Sequence, residues 1–129
     1  MQARLYLNLG VTKEHMQDFD EAISFYETAI AICKKNDHFE LHHKCLIACG
    51  VAYESKMNDT SEALRIFNSS IEVAKRIHDK NEKMCESLLA KSGLLIKSGD
   101  FQSAKQILKK AYKLKTPSSS DKEMIEKNL

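Results

Sequence analysis

Glu21-Ala22-Ile23-Ser24-Phe25-Tyr26-Glu27-Thr28-Ala29-Ile30-Ala31-Ile32-Cys33 decides the reading of this chain. Ala22, Phe25, Tyr26, Ala29, Ile30 and Cys33 follow the i, i+3, i+4, i+7, i+8 spacing of a broad buried stripe on a helix. The same stripe returns twice. Ala22, Ala63 and Ala104 lie 41 residues apart, and so do Phe25, Ile66 and Ile107. Tyr26, Phe67 and Leu108 keep step, as do Ile30, Ile71 and Tyr112, and Ile32, Val73 and Leu114. Apolar residues recurring in register at such a period mark stacked supersecondary units. Each unit buries its face only against its neighbours, so the chain presents a surface rather than enclosing a cleft.

Before each of these helices the pattern predicts another. Leu5, Tyr6, Leu9 and Val11 give the first an apolar stripe at helical spacing. Gln17-Asp18-Phe19-Asp20 turns the chain, and Asp18 or Asp20 can accept backbone N–H bonds at the start of the second helix. Lys34-Lys35-Asn36-Asp37-His38 leads to a second pair over about 40–56 and 62–77, joined by Asn58-Asp59-Thr60-Ser61. A third pair spans about 82–98 and 101–115, started by Asn81 or Asp79 and joined by Ser98-Gly99-Asp100-Phe101. Thr116-Pro117-Ser118-Ser119-Ser120 then breaks the pattern. Ser120-Asp121-Lys122-Glu123 has capping-box spacing, and Met124, Ile125 and Leu129 follow it. The expected architecture is one all-α domain over 1–129, a right-handed superhelical stack of helix pairs. Its repeats cover about 3–38, 41–80 and 83–115, with a partial fourth repeat or capping helix over 120–129.

The 129 residues carry a net charge of +2, with 29% charged and 43% hydrophobic residues, as in a soluble globular chain. No apolar run reaches the length of a membrane span, and no basic-then-apolar leader opens the chain. Cys33, Cys45, Cys49 and Cys85 therefore read as reduced thiols. His42, Cys45 and Cys49 fall at i, i+3 and i+7, which could gather three metal ligands on one helical face. No CxxC pair or fourth ligand accompanies them, and a buried Cys serves as a small hydrophobe. Neither a metal nor a cofactor is expected. GxSxG, HExxH and a Gly-rich phosphate loop are all missing, and the five histidines fall on predicted polar faces or turns. The chain is expected not to be an enzyme. Lys105, Lys109, Lys110, Lys113 and Lys115 form a run without acids that could meet phosphates, or simply be the solvated face of a helix.

These marks resemble the tetratricopeptide repeat, whose pattern places an aromatic, Leu-Gly, and a small residue where two helices cross. Tyr6, Leu9, Gly10, Ala22, Tyr26 and Ala29 carry it in the first repeat, and Lys13 departs from it. Gly50, Tyr53, Ala63, Phe67 and Ser70 carry it in the second, with one extra residue in the turn. Ala104, Leu108 and Ala111 carry it in the third, where either Ser92 or Gly93 is the small first-helix residue. The longer period and the acidic turns at Asp37 and Asp79 look like the extended subclass of kinesin light chains and spindle-orientation adaptors. More closely, Ala3-Arg4-Leu5-Tyr6-Leu7-Asn8-Leu9-Gly10 resembles the opening of a repeat in the Tonsoku-like family. Gly99-Asp100-Phe101, Ala104-Lys105 and Leu108-Lys109-Lys110-Ala111-Tyr112 resemble a later stretch of it.

That resemblance implies a protein-interaction module of a nuclear scaffold in replication-fork repair and homologous recombination, bound to a large partner scaffold. A cytoplasmic cargo or polarity adaptor is the alternative, and a nucleic-acid-binding repeat the second. Nucleic acid is not expected to bind through this segment, nor a membrane, while weak self-association at uncapped ends is. The resemblance places the exposed concave groove at Arg4, Leu7, Asn8, Val11 and His15 in the first repeat. Lys44, Ile47, Ala48, Val51 and Ser55 follow in the second, and Glu86, Leu89, Ala90, Gly93 and Lys97 in the third. An apolar stripe rimmed by charge suits an amphipathic or extended partner segment. The carboxylate clamp of chaperone-tail repeats is incomplete, because Ala48 and Ala90 stand at the equivalents of Asn8.

Overall fold

A computed structural model describes residues 2–115; the fourth repeat or cap expected at 120–129 lies outside the described residues. Six helices follow one another: α1 Gln2–His15, α2 Phe19–Asn36, α3 Phe39–Ser55, α4 Thr60–Ala74, α5 Lys80–Ser98 and α6 Phe101–Lys115. Strands do not occur among the described residues. The helices pair as α1 with α2, α3 with α4, and α5 with α6, and the pairs stack in chain order.

Local chemistry sets where each helix starts and stops. Asp18 and Asp59 accept from the backbone N–H of Glu21 (3.3 Å) and Glu62 (3.1 Å), and Asp100 from Ser103 (3.2 Å). Each satisfies one of the donors that a helix N-terminus leaves unpaired. Asp79 stands at the same boundary of α5 without such a bond. At the other ends, Asp37 (φ 55°) and Gly99 (φ 87°) take left-handed conformations that stop α2 and α5. The second helix of the middle pair ends at Ala74, short of the 77 expected from the sequence. The chain turns there and buries Ile77.

Two helices can cross closely only where a side chain is missing. A Cβ on Gly10 would lie 2.5 Å from the Tyr26 ring, and one on Gly50 would lie 2.5 Å from Phe67. Ala22 and Ala63, both fully buried, supply the matching small residues on the second helices. In the third repeat Ser92 is buried, whereas a Cβ on Gly93 would meet nothing within 4 Å. The register there is settled on Ser92. The place held by Tyr26 and Phe67 in the other repeats is taken here by Leu108, with no aromatic ring.

The core is a string of local clusters rather than one centre. Ala3, Leu7, Tyr26, Cys33, Cys45 and Cys49 belong to the first; Ala63, Phe67 and Leu94 form the second; Cys85, Leu88 and Ala111 form the third. Between the second and third pairs runs a polar tie. The buried His43 ring lies 2.7 Å from the Ser87 hydroxyl, which lies 2.8 Å from that of Ser70, and Ser70 reaches the Phe67 carbonyl at 2.6 Å. Burial pulls the His43 pKa below its ordinary value, so the ring is held neutral. This corrects the sequence reading, which placed His43 on a polar face; the ring is 1% exposed.

Candidate functional site

The two layers of the stack are not equivalent. α1 touches α3 and α3 touches α5, whereas α2 and α4, and likewise α4 and α6, do not meet. First helices therefore sit closer together than second helices. The layer with the closer spacing is the inner one, so α1, α3 and α5 line the concave side.

The middle first helix shows most clearly what that side offers. Packed against α1, α2, α4 and α5, α3 keeps only a narrow solvent strip. Glu40, Lys44, Val51 and Ser55 are exposed along it, with Ile47 and Ala48 half-buried between them. Their spacing is that of one helical face. On α1 the equivalent strip is Arg4, Asn8, Val11 and His15, all exposed. On α5 it is Glu86, Leu89, Gly93 and Lys97, with Ala90 half-buried. Val11 is 39% exposed and Val51 40%, which leaves an apolar centre between polar ends.

Leu7 does not belong to this surface. It is 4% exposed and packs in the first core cluster, because the neighbouring first helix α3 covers it. Ile47 packs partly into the second cluster for the same reason. The stripe of α1 needs correcting too. Leu5 is 56% exposed and Val11 is largely open, while Ala3, Leu7 and Gly10 are the residues α1 buries.

Charges on the strips are sparsely paired. Glu86 lies 3.5 Å from Lys83, and Lys97 donates to the Glu54 carbonyl at 3.3 Å. Ser55 and Thr12 bond back to Val51 and Asn8 carbonyls in their own helices. The thiols Cys45 and Cys49 are buried, and burial pushes each up to about 12, which keeps them protonated and unreactive. Among the described residues no three His, Cys, Asp or Glu side chains are grouped to hold a metal. Nor does any described helix have the length and apolarity to cross a membrane.

Helix pairs stacked in one direction, with an inner layer of first helices, define an α–α solenoid built for contact. The chain belongs to the tetratricopeptide repeat family, whose profiles match residues 1–76 and 86–116. It is 51% identical over 129 residues to the Tonsoku-like protein of Drosophila melanogaster, matching all of this chain and 9% of that protein. It is 32% identical over 129 residues to that of Danio rerio, covering 99% of this chain and 9% of the relative. For Bos taurus the identity is 32% over 114 residues, 88% of this chain and 8% of the relative. The chain thus spans about a tenth of the length of these relatives. In three dimensions it resembles the crystal structure of BtubC (BKLC) from P. vanneervenii, with a TM-score of 0.78 over 88% of this chain and 46% of that one. At 19% identity, that likeness is one of fold.

Proposed function

We propose that this segment is a binding module, not a catalyst, and that its concave strip holds a segment of a protein partner. The observation that carries the reading is the strip itself. A helix packed by four neighbours still leaves Lys44, Val51 and Ser55 open, in line with equivalent open positions on α1 and α5. Apolar side chains left uncovered on a rigid concave surface mark a contact site. The similarity to Tonsoku-like proteins supports a nuclear role in replication-fork repair and recombination, with a large scaffold protein as partner.

The test is capture of the partner scaffold by the wild type and by Val11→Glu plus Val51→Glu. Both residues are open, so the double variant should melt like the wild type and lose the partner. Glu substitutions at Lys105, Lys109 and Lys110 should leave binding intact. Normal capture by the valine variant and loss in the lysine variant would move the site to α6 and refute the concave reading.

A further inference from the structure

The three concave strips change in a consistent direction along the stack. Two residues before the close-crossing position stand Asn8, Ala48 and Ala90; one residue after it stand Val11, Val51 and Gly93. The floor therefore loses side-chain volume from the first repeat to the third. At its far end a Cβ on Gly93 would meet nothing within 4 Å, so the space above it is empty. Ala90 lies half-buried beside this low floor.

Positive charge at one place on the strip falls in the same direction. Arg4 and Lys44 hold equivalent places on α1 and α3, and both are exposed. Neither lies within ion-pair distance of a carboxylate among the described residues. In the third repeat the equivalent residue is Glu86, already paired with Lys83. The acids nearest in the sequence pattern are Glu40 at the start of the α3 strip and Asp37 in the preceding turn. Both line a shallow cleft together with Arg4, Arg76 and His78. Lys44 thus faces the open groove as an unanswered charge, and Arg4 borders it.

From this double gradient we infer that the groove takes an acidic amphipathic segment in one orientation. Carboxylates lie over Arg4 and Lys44, and the bulkiest apolar side chains fill the low floor above Ala90 and Gly93. The inference rests on the concave reading above and adds the partner's chemistry and direction. Apolar contact supplies affinity in proportion to the area it removes from water. The charges supply selection among partners and a salt-dependent encounter rate.

Two labelled amphipathic peptides of about five helical turns test it. They share one leucine stripe and differ in carrying Glu or Lys on the flanks. The Glu peptide should bind at least about tenfold tighter at low salt, and the preference should shrink at roughly 0.5 M salt. Arg4→Glu with Lys44→Glu should invert the preference. Gly93→Leu should weaken the Glu peptide by about tenfold or more, yet leave the fold at least as stable, since glycine in a helix interior is less favourable than a residue with a side chain. Suppose instead that Val11→Glu with Val51→Glu abolishes binding while the charge reversal and Gly93→Leu change nothing. Then the groove binds protein but the inferred chemistry and orientation are wrong. Equal affinity for the two peptides, or binding of neither at millimolar concentration, also overturns the inference.

Discussion

Leu7 and Leu89 occupy the same place in their repeats, three residues before the close-crossing Gly10 and Ser92, yet one is 4% exposed and the other 40%. Neither its helix nor its own repeat accounts for the difference. Leu7 has a following first helix, α3, laid against it; α5 has no such cover among the described residues. The mirror case lies at the other end. Leu5 stands open, whereas its equivalents Cys45 and Ser87 are fully buried, because each of those packs against a preceding pair. In a stacked-repeat chain the neighbour decides burial, so one apolar pattern yields core in the middle and surface at the ends.

The comparison can be broken by truncating both leucines. Leu7→Ala should cost about 2–4 kcal/mol, the transfer loss plus a cavity that α3 cannot close. Leu89→Ala should cost less than about 1 kcal/mol, as at an open surface position. Urea melts monitored by circular dichroism would show the difference as a shift of midpoint at nearly constant slope. Similar losses at the two sites would mean that Leu89 is covered in solution and that the contrast between interior and end is wrong.

A second contrast separates the glycine crossings from the serine crossing. Gly50 faces the Phe67 ring, while Ser92 stands in a repeat whose equivalent ring position is Leu108. Gly50→Ala should therefore destabilise by about 1–3 kcal/mol through overpacking, despite alanine's better helix propensity. Phe67→Leu introduced beside it should restore part of that loss. The expected coupling is about 0.5–3 kcal/mol in a double-mutant cycle, read from thermal melts of the four proteins. Strict additivity would show that ring and glycine do not constrain one another.

These contrasts also explain how much of the molecule the sequence disclosed. The second helices were legible because their buried stripes are broad and tied to small residues at fixed spacing; Ala22, Ala63 and Ala104 alone fix the repeat. The first helices were harder to read. They are covered on several sides, so their apolar residues do not form a single stripe, and Leu5 and Leu7 exchanged roles between expectation and structure. His43 was missed because its partners come from other helices: Ser87 stands 44 residues away, and Ser70 is linked through it. Only the small residues pointed there, since a serine at the place held by Ala29 and Ala111 hints at a polar partner in the core. The candidate strip was placed by family pattern, and packing then removed Leu7 from it. The exposed members that remain are those whose side chains point away from every neighbouring helix.

The smallest expected effect concerns the aspartates that open the helices. Asp18, Asp59 and Asp100 each accept a backbone N–H from the first turn of a second helix; Asp79 stands before a first helix and accepts none. In the sequence the first three recur in the turn within each pair, while Asp79 lies in the turn between pairs. A side-chain cap is typically worth about 1 kcal/mol against alanine, because its loss leaves a donor without its partner. Asp18→Ala and Asp59→Ala should thus each cost about that much. Asp79→Ala should cost no more than a few tenths, the residual attraction between a carboxylate and the positive end of the helix dipole. Salt offers a further discriminant, since dipole attraction is screened while a direct bond largely survives. In roughly 1 M salt the Asp79→Ala difference should vanish and the Asp59→Ala difference persist. If Asp79→Ala proves as costly as the others, the carboxylate caps α5 in solution, and the second helices hold no special claim on the repeated turn.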